Sequence, residues 1–167
     1  DSGAMAVGWA FDGTDWYYAD GSGALASGWR SVNGAWYWLD IANDNRMVTG
    51  FFSIGSNRYH FSSTGALSLG WFMSDGDWYY AEPSNASGIV KTGWLKDGSQ
   101  YYYLDPAVDG KMLLGHFSVN GKSYYAKGSG AVACREWVDV QDSVQDGPSK
   151  AFAGSDCSLC GTLRNGK

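Results

Sequence analysis

The stretch Gly28-Trp29-Arg30-Ser31-Val32-Asn33-Gly34-Ala35-Trp36-Tyr37-Trp38 decides the fold. Asn-Gly is a preferred pair for a tight hairpin turn, which needs positive φ, and here it sits between two aromatic landmarks. The arrangement recurs on both sides. Gly8-Trp9, Gly28-Trp29, Gly50-Phe51, Gly70-Trp71, Gly93-Trp94 and Gly115-His116 open six units. Each has a triplet or its remnant, starting at Trp16, Trp36, Arg58, Trp78, Tyr101 and Ser123. The step from opener to triplet is seven residues every time: 9 to 16, 29 to 36, 51 to 58, 71 to 78, 94 to 101 and 116 to 123. The step from triplet to next opener varies from 13 to 16 residues.

A segment of fixed length is what a hairpin demands, because one extra residue sends every side chain to the other face. A variable segment is what a surface connection tolerates. Further turn signals fall at Asp12-Gly13, Asp75-Gly76, Asp97-Gly98 and Asn120-Gly121. A third landmark, a small-residue turn before one apolar side chain, ends at Leu25, Met47, Leu67, Val90, Met112 and Val132. Each unit therefore reads as strand, tight turn, strand and loop. One hairpin cannot bury its rings alone, whereas stacked neighbours can. The expected fold is an all-β solenoid of about six stacked hairpin repeats of 20–23 residues.

Composition agrees. The 167 residues include 24 Gly, nine Trp and eleven Tyr, and only 17% are charged, which suits twisted strands and tight turns better than a helical bundle. The net charge of −5 and the lack of a basic stripe exclude nucleic-acid binding. No apolar run approaches a membrane span, so no membrane insertion is expected. Residues 1–7 resemble the run before Gly28 and read as the remnant of an upstream repeat. The array is expected to cover residues 1–133, with 134–167 a cap, a linker or the start of a different segment.

Strand alternation puts Trp16 and Tyr18 on one face and Tyr17 on the other. Trp9 lies across the hairpin, near enough to pair with Trp16. If neighbouring hairpins are rotated along the solenoid, the opposite-facing Tyr of the next one can complete a three-walled aromatic box, floored by an apolar residue such as Leu25, Met47, Val90 or Met112. The plainer alternative is that the rings are only core.

These residues resemble the choline-binding, or cell-wall-binding, repeats of Gram-positive surface proteins, with units 28–49 and 70–92 the best matches. The resemblance spans residues 1–133 and extends to glucan-binding and clostridial-toxin repeats. It implies ligand sites made by Trp9, Trp16 and Tyr37; by Trp29, Trp36 and Tyr59; by Trp71, Trp78 and Tyr102; and by Trp94, Tyr101 and Tyr124, with Met47 and Met112 beneath. Two junctions depart from the pattern. Phe51 and Arg58 replace the Trp pair at the third, where the guanidinium takes the place of a cationic ligand and no choline is expected. His116 and Ser123 replace it at the sixth. The implied function is non-catalytic attachment to choline-bearing teichoic-acid-like polymers, by a secreted or cell-surface protein bound to the cell wall. Carbohydrate recognition, on glucan or host glycan, is the rival, and a structural spacer is the third reading.

No catalytic, metal or cofactor site is expected. His60 and His116 stand at aromatic positions of degenerate repeats. Asp12, Asp75, Asp97 and Asp109 read as turn formers. Cys157 and Cys160 have Cys-x-x-Cys spacing, but no further zinc ligands are near. A disulfide involving Cys134 fits a secreted protein.

Overall fold

The computed structural model describes residues 7–134, 136–140, 149–153, 157 and 159–164. The expected upstream remnant, apart from Val7, and most of the polar stretch 141–150 lie outside the described residues. Among the described residues the fold is all-β with three short 3-10 turns. Six hairpins follow one another: β1 (Gly8–Phe11) with β2 (Trp16–Ala19), β3 (Gly28–Val32) with β4 (Ala35–Asp40), β6 (Gly50–Ile54) with β7 (Asn57–Phe61), β8 (Gly70–Ser74) with β9 (Asp77–Ala81), β10 (Gly93–Asp97) with β11 (Gln100–Asp105), and β13 (Gly115–Val119) with β14 (Lys122–Ala126). β15 (Glu136–Val140), β16 (Ser149–Ala153) and β17 (Leu159–Arg164) form an antiparallel sheet after the repeats.

The turns explain the fixed spacing, with two refinements. Asn33-Gly34 closes the second hairpin between Val32 and Ala35, at φ +50° and +82°, as a type I′ turn requires. In the first hairpin Asp12-Gly13 belongs to a four-residue loop, because Asp12 Oδ1 accepts from the N–H groups of Thr14 and Asp15, both at 2.8 Å. These bonds hold the Asp12 carboxyl below its ordinary pKa, Asp15 contributing most. In the fifth hairpin Asp97 is still paired, with Gln100, so the turn is Gly98-Ser99, one residue later than the sequence suggests.

The connecting loops are more ordered than expected. Each returns to its own hairpin through the apolar third landmark. Leu25, Leu67, Val90 and Val132 make single bridges to Ala19, Phe61, Ala81 and Ala126. The two longer loops form short strands, β5 (Arg46–Met47) on β4 and β12 (Lys111–Met112) on β11. A repeat is thus a hairpin plus the beginning of a third strand. That third strand then reaches a neighbour: Leu67 N–H donates to the Trp36 carbonyl and Val90 N–H to the Arg58 carbonyl.

The chain forms two compact units, residues up to Gly76 with Tyr80–Val90, and Asp77–Tyr79 with Lys91 onward. The core of the first gathers Val48, Tyr59, Phe61 and Leu67, with Trp38, Phe52, Ile54 and Ile89 packed against them. In the second, Tyr124, Ala126, Val132 and Cys157 cluster with Phe117, Val119 and Cys134. Cys134 is disulfide-bonded to Cys157, so the expected bridge is present and its partner is identified. Among the described residues no helix is long and apolar enough to cross a membrane.

Candidate functional site

Antiparallel register sets the walls. Trp9 faces Tyr18 and Trp29 faces Trp38, so the first ring of each triplet lies one diagonal away from the opener. The Trp29 and Trp36 rings meet edge to face at 6.4 Å. The next hairpin supplies its Tyr edge-on: Tyr37 at 4.7 Å from Trp9, and Tyr59 at 5.2 Å from Trp29. T-shaped contacts satisfy the ring quadrupoles while leaving faces open.

These walls bound two clefts within the first unit. The first, about 380 Å³, is lined by Trp9, Trp16, Tyr37, Met47, Ser63 and Thr64. The second, about 400 Å³, is lined by Trp29, Trp36, Tyr59, Asn85, Ala86 and Ser87. No charged side chain lines either. Trp16 is 44% exposed and Trp36 38%, whereas the core residue Phe61 is fully buried.

The resemblance to the repeat family implies the three rings of each cleft but not their rims. Ser63, Thr64 and Asn85–Ser87 lie two hairpins beyond the first wall, and no local spacing points to them. Met47 also sits elsewhere than expected: it lines the first cleft, one junction before the Gly-aromatic pair it precedes. The reason is the third strand, which carries the apolar residue back across its own hairpin. Leu25 is half exposed and lines neither cleft.

In the second unit Trp94 holds Tyr124 edge-on at 4.8 Å, as Trp9 holds Tyr37. Tyr101 carries the Lys96 ammonium 5.6 Å from its ring centre. Met112 is buried. Of the remaining expected set, Trp71 lies in the first unit, edge-on to Tyr80, while Trp78 and Tyr102 lie in the second. At the degenerate third position the Arg58 guanidinium sits 5.3 Å over the Phe51 ring and donates to Ser53 Oγ. His60 and His116 are rings among rings. His60 stacks on Phe72 at 4.4 Å and pairs with Ser68 Oγ through Nδ1, and His116 is edge-on to Tyr125. Among the described residues no cluster of His, Cys, Asp and Glu fits a metal ion.

Five stretches of the chain, residues 7–25, 27–40, 49–67, 70–84 and 92–107, match the cell wall binding repeat. The structure resembles choline binding protein F from Streptococcus pneumoniae with 34% identity and a TM-score of 0.77, over 93% of this chain and 48% of that one. The same protein in the presence of a peptidoglycan analogue, a tetrasaccharide-pentapeptide, matches at 34% identity and a TM-score of 0.79, over 95% and 48%. The choline-binding domain of CbpL from the same organism matches at 27% identity and a TM-score of 0.63, over 93% and 78%. The chain thus spans about half the length of choline binding protein F. No curated protein sequence matches significantly.

Proposed function

Because this chain belongs to the cell wall binding repeat family, we propose that it attaches its protein to cell-surface polymers by holding their choline groups in the clefts between successive hairpins. The observation that carries this reading is the pair of open, uncharged clefts, each with three aromatic walls. A quaternary ammonium donates no strong hydrogen bond. It is attracted by ring faces and buries its methyl groups against them, at roughly 0.5–2 kcal/mol per contact. One cleft then binds at about millimolar strength, and several clefts on one polymer gain by avidity. The same geometry supports the inactive third position: Arg58 already gives Phe51 a cation.

The reading assigns binding and no chemistry to this chain. It places the protein outside the cell on choline-bearing, teichoic-acid-like polymers. The repeats stack as a solenoid in this proposal, supported within each unit by the bonds from Leu67 to Trp36, Val90 to Arg58 and Val132 to Tyr101. Residues after Ala133 act as its cap, supported by the Cys134–Cys157 bridge. The expected result is retention on a tertiary-amine resin, elution by free choline and quenching of Trp fluorescence by choline. Retention on dextran with no response to choline would replace this reading by glucan binding.

A further inference from the structure

A second pocket adjoins the first cleft and shares Met47 with it. It encloses about 210 Å³, and its other walls include Asp15, Asp40, Asn43, Arg46, Thr49 and the Phe52 ring. Some of this lining is framework, as a comparison inside the molecule shows. The loop Asp40 to Gly50 has a twin of equal length, Asp105 to Gly115. In both, the leading Asp caps a 3-10 turn by accepting from the N–H two residues on, Ala42 in one loop and Ala107 in the other. In both, a cation one residue before the Met holds a carboxylate: Arg46 meets Asp15 at 3.3 Å and Lys111 meets Asp77 at 2.8 Å. These features recur with the loop and build it.

At two of the pocket-lining positions a polar residue stands where the twin is apolar. Where the twin has Val108 and Leu114, both about half exposed, the first loop has Asn43 and Thr49. The frame folds without polar groups at either position, so their presence in the pocket is not a requirement of the loop. Asn43 gives one amide N–H to Asp40 Oδ2, which leaves its carbonyl and a second N–H. Thr49 adds a hydroxyl that donates and accepts. Acceptors and donors therefore line the same space as the apolar residues Met47, Val48 and Phe52. Two carboxylates against one guanidinium disfavour a phosphate. The volume equals that of roughly seven liquid waters, about one six-membered sugar ring. Such a ring offers hydroxyls that both donate and accept, and a C–H face that lies on an aromatic ring.

We propose that this pocket is a saccharide subsite, taking one neutral hydroxylated ring. It deepens the choline reading by placing a sugar of the same polymer beside the ammonium group in the first cleft, and it rests on that reading only for the polymer. The test is a titration of the isotope-labelled full chain with glucose, galactose and N-acetylglucosamine, each to about 100 mM, a range suited to weak sites. At least one sugar should shift the Asn43 side-chain amide and the Thr49 backbone resonance saturably. The double variant Asn43→Val with Thr49→Leu carries the twin's own residues. It should lose about tenfold in sugar affinity, the worth of one or two hydrogen bonds, and keep choline quenching intact. Trp16→Ala should do the reverse. Absence of shifts with all three sugars, or a double variant that binds sugar as well as the parent, would overturn the subsite. Sugar shifts abolished by the double variant in a protein that ignores choline would uphold the subsite and sink the choline reading alone.

Discussion

At the scale of single residues, the exposed tryptophans carry the binding argument. Trp36 is a wall of the second cleft and contributes little to the core. Trp36→Ala should therefore weaken choline binding there by about tenfold, the worth of one ring face, with little change in melting temperature. A fluorescence titration beside a thermal melt separates the two effects. His60 is the opposite case, a polar ring used as packing. Its burial lowers its pKa below the ordinary 6.5, and the Asp75 charge opposes the shift only in part. The folded state thus takes up its proton at lower pH than the unfolded state does. Stability from this group is complete above about pH 6.5 and declines as the pH falls below it. Melting temperature measured from about pH 7 down to about pH 5 should fall, and His60→Phe should remove part of that slope. A variant with an unchanged slope would refute the assignment.

At the scale of elements, the loop glycines lock one repeat onto the last. A Cβ on Gly65 would land on the Met47 thioether, one on Gly88 on the Leu67 methyls, and one on Gly130 on Met112. Gly65 also holds φ +80°. Gly65→Ala should cost about 1–2 kcal/mol and loosen the first cleft by displacing Met47. Gly50→Ala, with similar φ and open space around it, should cost only the backbone part and leave the cleft alone. Denaturant melts with choline titration distinguish them. This level also marks what a reader of the sequence can reach. The hairpins are legible because Gly-aromatic, Asx-Gly and triplet stand at one repeated spacing. The third strands are not, since Leu25 or Val90 makes a single bridge within a loop of variable length. The rims escape for a related reason: Thr64 and Asn85 meet their clefts only after the loops have folded back. The two rings that one hairpin gives to a cleft follow from its register, whereas the Tyr of the next hairpin is implied by the resemblance to the repeat family.

At the scale of the molecule, the second unit is tied down at its far end. The Cys134–Cys157 bridge joins positions 23 residues apart, beside Tyr124 and Val132. Closing a loop of that length stabilises by about 3 kcal/mol. Replacing both cysteines by Ser should lower the melting of the second unit and perturb the Trp94–Tyr124 pair, while choline still quenches Trp29 and Trp36. Loss of the first-unit response would mean that the two units do not melt separately.

The first cleft draws walls from hairpin one, hairpin two and the loop after hairpin three, and the second repeats this one step along. A lone repeat therefore encodes no receptor, and neither does a pair. Each added copy that keeps the Trp pair would bring the walls of one more cleft with no new invention. Copy number then becomes a dial for grip. The copy that holds Arg58 still supplies Tyr59 to the second cleft and Ser63 and Thr64 to the first.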